Sequence, residues 1–404
     1  RYIDRWISEK LNLSKIVSVG RFLLPTLAFG GLIALITNTI SDAQFTYLVI
    51  ACLIPVLTNL KATNAEAEKL SRIKGRIQTI RSQISLLHEL KVESELINES
   101  KEILFKEAGN AEEALNKLIK IQEKFDLRLN FLVSILFNIF IAYDFQLMSA
   151  LYKWRKTYAH KIESWEVELL KMEVYISQMN FYYNYENHTC FPSISQNENS
   201  PINIQELGHP LLLSSKMVRN DFNLSTEENF VIVTGPNMAG KSTFLRSVGV
   251  NLILANAGFT VVAKTFNFPR LTLYSSMRTA DNLTEESSYF HAELIRLRFI
   301  VDAIERGEKV FIVLDEILKG TNSKDKEEGS AKFLRKLISL NTKGIIATHD
   351  LSLTALANNN PTIINQYFDS TIEGENISFS YKINQGVVKN MNASFLLKQM
   401  KLVD

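Results

Sequence analysis

The first sixty residues contain two long stretches without a charged side chain. They run over 22–41 and 43–60, and only Asp42 lies between them. A helix of about 20 residues spans roughly 30 Å, which is the thickness of the hydrocarbon core of a bilayer. The pattern therefore predicts a transmembrane helical hairpin within an N-terminal segment, residues 1–61.

Basic residues flank this hairpin on both outer sides. They are Arg1, Arg5, Lys10, Lys15 and Arg21 before it, and Lys61, Lys69, Arg72, Lys74 and Arg76 after it. Because positive flanks stay on the cytoplasmic side of a membrane, both ends of the hairpin are predicted to face the cytoplasm. The chain is thus expected at the cytoplasmic membrane, with everything after the hairpin on the cytoplasmic side. The alternative is a hairpin buried inside a soluble helical domain.

Residues 62–190 have helical periodicity and very little Pro or Gly, which predicts an all-α domain. A third apolar stretch, 129–142, carries Asn130, Ser134 and Asn138 along one helix face. A polar stripe of this kind is more typical of a packed helix than of a lipid-facing one, so this stretch is interpreted as core.

From 191 to 404, short β-branched runs alternate with helical windows. The runs are 231–235, 271–277, 310–316 and 343–349. Strands that alternate with helices predict an α/β domain, here a mainly parallel sheet flanked by helices on both faces.

A phosphate-binding loop follows the first of these runs. Its pattern is Gly, four residues, then Gly-Lys-Ser, with a predicted strand before it and a helix after it. Backbone N–H groups of such a loop contact phosphate oxygens, its lysine reaches the β- and γ-phosphates of ATP, and its serine binds Mg²⁺. The residues predicted to bind the nucleotide are Gly235, Pro236, Asn237, Met238, Ala239, Gly240, Lys241, Ser242 and Thr243.

Three further polar residues follow apolar strands. Asp315 is predicted to hold Mg²⁺ and Glu316 to act as the general base toward water, because ligands bind at the carboxyl ends of parallel strands. His349 follows another strand and is predicted to contact the γ-phosphate. With Lys241 and Glu316 it completes the predicted catalytic set. The alternatives are a carboxylate cap on the surface and a structural histidine.

Several of these segments resemble the MutS-type DNA mismatch-repair ATPases. They are TGPNMAGKSTFLRSVGVNLILANAGFTVVA, LDEILKGTNSKD, ATHD and LGHPLL, within about 200 residues of strong likeness. The resemblance implies a P-loop ATPase of the ABC/MutS type whose two nucleotide sites form in a homodimer. Residues 288–293 match the family's signature segment. Its Ser288 would then contact the γ-phosphate bound by the opposite subunit, and Asn237 would contact phosphate or the signature segment.

The closest competing class is the transporter ATPases. They carry a Leu-Ser-Gly-Gly-Gln signature and a proline after the catalytic glutamate, whereas Ile317 follows Glu316 here and the signature does not occur. The family's mismatch-recognition module also has no counterpart in these residues. The resemblance is therefore to a divergent, membrane-linked branch of the family.

Composition limits the function further. The chain has 404 residues, 45 Lys+Arg against 43 Asp+Glu, and two cysteines, which argues against a polybasic protein and against a disulfide framework. The resemblance implies an ATP-hydrolysing, Mg²⁺-dependent dimer linked to DNA mismatch repair or to binding of mismatched or branched double-stranded DNA. The alternative function is a membrane-associated, ATP-driven switch or scaffold that acts on protein partners without DNA.

Overall fold

The computed structural model describes residues 2–9, 11–107, 109–212, 214–277, 289–318, 322–373 and 376–388. The chain divides into two compact units, Arg1–Ile176 and Ser177–Asp404. The three-part division predicted from the sequence stays a prediction. Here the apolar hairpin and the helical region fall in one unit.

The first unit is all-α in its described residues. Its helices are α1 (Tyr2–Ser8), α2 (Lys15–Ile36), α3 (Asp42–Glu89), α4 (Glu95–Glu102), α5 (Ala111–Leu127), α6 (Phe131–Ile141), α7 (Tyr143–Tyr158) and α8 (Ile162–Tyr185), the last of which continues into the second unit. A π-helical turn, Ile103–Glu107, follows α4.

The two predicted apolar stretches form α2 and the first part of α3. Ser14 caps α2 by accepting a hydrogen bond from the Val17 N–H, and Ser41 with Gln44 forms a capping box that starts α3. Both helices are long and apolar enough to cross a membrane. Their outward faces carry exposed apolar side chains, namely Phe22, Leu23, Leu27, Ile33, Ile50, Ile54 and Leu57.

The helix α3 does not end where its apolar part ends. It continues without interruption through the charged segment after Lys61 to Glu89, 48 residues in all. Its second half buries Ile73, Ile77 and Ile84 at helical spacing. These side chains belong to the same core as Leu115 of α5, so α3 joins the apolar hairpin to the helical core.

The interpretation of 129–142 as a core helix is wrong for most of its side chains. α6 buries Asn138, but Leu132, Leu136 and Phe137 are exposed. The helix ends at Ala142, whose φ of 47° is left-handed, and α7 continues at an angle of 79°. Asn138 and half-buried side chains such as Phe140 pack inward, and the remaining apolar face points outward.

In its described residues, the second unit contains two larger sheets, a two-stranded sheet and three further α-helices. The strands are β1 (Ser193–Ser195), β2 (Ile202–Leu207), β3 (Asn220–Leu224), β4 (Phe230–Thr234), β5 (Thr265–Pro269), β6 (Thr272–Ser276), β7 (Val310–Asp315), β8 (Lys343–Ala347), β9 (Ile363–Phe368), β10 (Thr371–Glu373), β11 (Asn376–Ser378) and β12 (Ile383–Gln385). The helices are α9 (Lys241–Asn256), α10 (Tyr289–Glu305) and α11 (Ser323–Ser339).

The central sheet has the order β12-β9-β4-β8-β7-β6 and is parallel except for β12. Alternate residues of its strands face opposite sides, as the pleat requires. Val231 and Val233 lie in one core with Val248 of α9, and Ile232 lies in the other with Ile300 of α10. The predicted mainly parallel sheet with helices on both faces is confirmed, as is the all-α region before it.

Candidate functional site

The predicted phosphate loop joins the carboxyl end of β4 to the start of α9. Gly235 has φ 139° and Gly240 has φ 108°, a left-handed region that glycine occupies at little cost. A Cβ on Gly235 would lie 2.5 Å from the carbonyl oxygen of Phe368, so a side chain cannot fit there. The loop therefore turns sharply over the sheet edge and directs the N-terminus of α9 toward its concave side, where an anion is favoured.

The lysine of this loop lies at its centre. The Lys241 ammonium donates hydrogen bonds to the carbonyl oxygens of Gly235 and Pro236, both at 2.8 Å. The side chain is buried, and its charge is held by backbone dipoles next to the position that phosphates would occupy. Ser242, the predicted Mg²⁺ ligand, is the next residue of α9 and lines the same pocket.

The predicted acidic pair and histidine lie on the neighbouring strands. β8 lies between β4 and β7, and its Ala347 pairs with Val233 on one side and with Asp315 on the other. The ends of the three strands are therefore aligned. This alignment brings Asp315, Glu316 and His349 to the same edge of the sheet as the phosphate loop.

The buried carboxylate of Asp315 is a candidate ligand for a cation. It is 5% exposed, and its Oδ2 has no hydrogen-bond partner among the described residues. A buried carboxylate oxygen without a partner is costly, and a hydrated Mg²⁺ would satisfy it. Within the parts of the chain that the structure describes, no group of three His, Cys, Asp or Glu residues could hold a metal alone. Such a site fits a Mg²⁺ ion that also binds the phosphates of its nucleotide.

Glu316 and His349 lie in direct contact. The Glu316 Oε1 and the His349 Nε2 are 2.7 Å apart, and the Glu316 N–H donates to the Ala347 carbonyl at 2.9 Å. Glu316 also has a φ of 54°, a strained value for a residue other than glycine. The Glu316 carboxylate at the end of β7 therefore faces His349, which follows the neighbouring strand β8.

The loop opens into a pocket of about 810 Å³. This volume lies within the range of small-molecule sites, roughly 300–1,000 Å³. Side chains that the sequence analysis did not predict form much of its wall, namely His209, Leu212, Lys216, Val218, Phe368 and Tyr381. Burial, together with the nearby charge of Arg246, lowers the pKa of His209 below its usual value. A wall of apolar, aromatic and polar side chains next to a cationic loop suits a nucleoside attached to phosphates.

A second contact that the sequence analysis missed supports the acidic pair. The Glu293 Oε1 accepts a hydrogen bond from the Leu318 N–H at 2.8 Å, and Leu318 has a φ of 59°. Glu293 thereby holds the backbone two residues after Glu316. Its only signal in the sequence is its place at the end of the segment that begins with Ser288. Ser288 itself lies outside the described residues, so its predicted role across a dimer stays a prediction.

Comparisons with known proteins agree with this geometry. Residues 231–402 match the family model described as MutS domain V. Aligned relatives include the DNA mismatch repair protein MutS of Thermotoga petrophila, 32% identical over 44% of this chain and 23% of its own length. The DNA mismatch repair protein MSH4 of Arabidopsis thaliana is 31% identical over 50% of this chain and 26% of its own length. The MutS protein homolog him-14 of Caenorhabditis elegans is 30% identical over 53% of this chain and 25% of its own length. The chain thus spans about a quarter of the length of these relatives.

Proposed function

Since the chain is a MutS-family protein by its domain V, we propose that it binds and hydrolyses ATP with Mg²⁺ as an ATP-gated homodimer. The observation that carries this proposal is the alignment at one sheet edge of the phosphate loop, Asp315, Glu316 and His349, beside a pocket of nucleotide size. Mismatch repair, or the binding of mismatched or branched DNA, is the function proposed for this cycle, because relatives are named for that repair.

Each group has a distinct task in this proposal. The loop N–H groups and Lys241 bind the β- and γ-phosphates and orient them. Ser242 and Asp315 would hold a Mg²⁺ ion, which would neutralise charge on those phosphates. Glu316 accepts a proton from the attacking water, and His349, whose Nε2 lies 2.7 Å from the Glu316 Oε1, contacts the γ-phosphate. Ser288 of a second copy would complete the site.

DNA binding gives the first test of the proposed partner. We expect duplex or branched DNA to bind and to change the ATPase rate. Affinity should fall roughly 100-fold between 50 and 200 mM salt, as for about four phosphate contacts. Fluorescence anisotropy at several salt concentrations, with perfect, mismatched and branched DNA, measures it. Absence of binding at 50 mM salt would favour the alternative, a membrane-bound switch that acts on protein partners.

Two observations favour the alternative function, a membrane-bound switch that acts on protein partners. The apolar hairpin and the helical core share a single continuous helix, α3, so an ATP-driven change in the core would reach the lipid-facing segment directly. The basic and acidic residues of the whole chain also nearly balance. A protein partner at the membrane would use the same nucleotide cycle without any contact to DNA.

We also propose that α2 and the first part of α3 cross the cytoplasmic membrane, with the ATPase unit on the cytoplasmic side. The full-length chain is then expected in the membrane fraction and should resist extraction by alkaline carbonate. Replacing the exposed Ile33 and Ile54 with Arg should release much of it, because a charge at the bilayer centre costs about 3 kcal/mol.

The matched control replaces two equally apolar, exposed residues of the helical region, Leu86 and Val174, with Arg. That variant should remain in the membrane fraction. If the unaltered chain is recovered in the soluble fraction without detergent, the hairpin does not cross the membrane.

A further inference from the structure

The third apolar helix, α6, presents an exposed apolar face. Leu132 is 71% exposed and Leu136 is 54% exposed, with Phe137 and Ile141 exposed beside them. No charged side chain occurs between Arg128 and Asp144. A patch of this kind on a soluble surface is unfavourable, so the face requires an occupant.

The two ends of this segment are tied to each other. The Arg128 Nε and Nη2 donate to the Asp144 Oδ1 and Oδ2, both at 2.7 Å, and the pair is almost fully buried. A bidentate pair fixes both position and orientation. The chain therefore leaves the helical core before α6 and returns to it after α6 at the same place.

The Arg128–Asp144 pair lies at the end of the proposed hairpin that faces the cytoplasm. The Arg128 guanidinium also donates to Asn64, shortly after the apolar part of α3 ends, and Gln146 donates to the carbonyl oxygen of Arg21, just before the apolar part of α2 begins. α6 packs beside α2, where the ring centroids of Phe140 and Phe29 lie 5.9 Å apart. The segment thus extends along the lipid-facing part of the hairpin.

The helix is too short to cross a bilayer. Its 11 residues span about 16 Å, roughly half of the hydrocarbon thickness. Its polar groups are satisfied within the protein, since Asn138 donates to the Ser134 carbonyl and accepts from the Asp144 N–H, both at 2.9 Å. A half-length helix with satisfied polar groups is tolerated at membrane depth where its polar side packs on protein.

We propose that α6 is a re-entrant membrane segment that enters and leaves the bilayer on the cytoplasmic side. This inference rests on the membrane hairpin proposed above. The occupant of its outer face is lipid and not a second copy of the chain, because α6 packs against α2 and α3, whose outer faces are also exposed and apolar. A bilayer covers all three at once.

Single cysteines in the full-length chain, reconstituted into phosphatidylcholine–phosphatidylglycerol vesicles, test this inference. The background carries Cys52→Ala and Cys190→Ala, which replace the free cysteines. Leu132→Cys and Leu136→Cys probe α6. Leu86→Cys, 68% exposed in the charged part of α3, is the aqueous control, and Ile54→Cys, 55% exposed, is the hairpin control.

We expect a water-soluble maleimide to modify the cysteines at 132, 136 and 54 at least roughly tenfold more slowly than the one at 86, because only a hydrated thiolate reacts. A fluorophore at 136 should also be quenched by nitroxide-bearing lipids. Fast modification at 132 and 136 with slow modification at 54 would overturn the re-entrant segment and leave the hairpin standing. Fast modification at 54 as well would overturn both. Slow modification at 136 without quenching by lipid would assign the face to a second copy and overturn the proposal.

Discussion

Lys241→Met is expected to lower the affinity for MgATP by roughly 100- to 1,000-fold. The Lys241 ammonium is buried at the centre of the phosphate loop, where it would form charge-assisted hydrogen bonds to two phosphates. Their loss costs about 3–4 kcal/mol, and each 1.4 kcal/mol is a factor of ten in affinity. Methionine keeps the length and bulk of the side chain, so the loop retains its packing. Calorimetric titration with MgATP measures the effect.

The control for this experiment is Lys332→Met, which removes a lysine from the exposed face of α11, where it pairs with Glu328. Nucleotide affinity should be unchanged in that variant. Thermal unfolding of both variants without nucleotide shows whether the fold is retained. Normal MgATP binding by a folded Lys241→Met protein would remove the assignment of the nucleotide site.

Glu316→Gln is expected to reduce ATP turnover by roughly 100-fold or more while MgATP binding is retained. A positioned general base contributes on the order of 100- to 10,000-fold, and glutamine keeps the shape of the side chain without its basicity. The variant should therefore accumulate as an ATP-bound dimer. Phosphate release and light scattering with ATP measure turnover and assembly on the same sample.

A matched substitution elsewhere separates this effect from a change in charge. Glu328→Gln removes an exposed carboxylate of α11 and should leave turnover unchanged. His349→Gln tests the contact of 2.7 Å with Glu316 and should reduce turnover without abolishing nucleotide binding. If Glu316→Gln hydrolyses ATP at the normal rate, the base is another residue.

The arrangement of the candidate nucleotide site could be predicted because its signals are local or follow from strand direction. The loop from Gly235 to Ser242 is contiguous, and its glycines, lysine and serine each have one use beside a phosphate. Asp315 and His349 follow apolar strands, and the ends of parallel strands meet at one sheet edge. We could therefore predict that these residues converge without knowing how the strands pack against the helices.

The wall of the pocket could not be predicted in the same way. His209, Phe368 and Tyr381 come from segments far apart in the sequence, and none of them belongs to a motif. They meet only after the sheet has formed, and each is an ordinary apolar or aromatic residue on its own. The contact between Glu293 and Leu318 depends likewise on the packing of α10 beside β7.

The helical unit shows a different limit. The charge at Lys61 suggested the end of a membrane helix, but charge changes the environment of a helix and not its backbone, so α3 continues to Glu89. For α6, the polar stripe correctly indicated packing at Asn138. The stripe occupies only one face, and the pattern alone does not state what covers the other.

The length of α3 fixes a spacing. From Leu60 to Glu89 the helix extends about 44 Å, and its described residues contain no loop over that distance. In the proposed membrane orientation, a flexible linker would let the helical core move over the membrane surface, whereas this continuous helix, which is itself packed in the core, holds the core at a fixed height and tilt. In that orientation, a molecule bound by the core would have to approach the membrane, since the core could not move away from it.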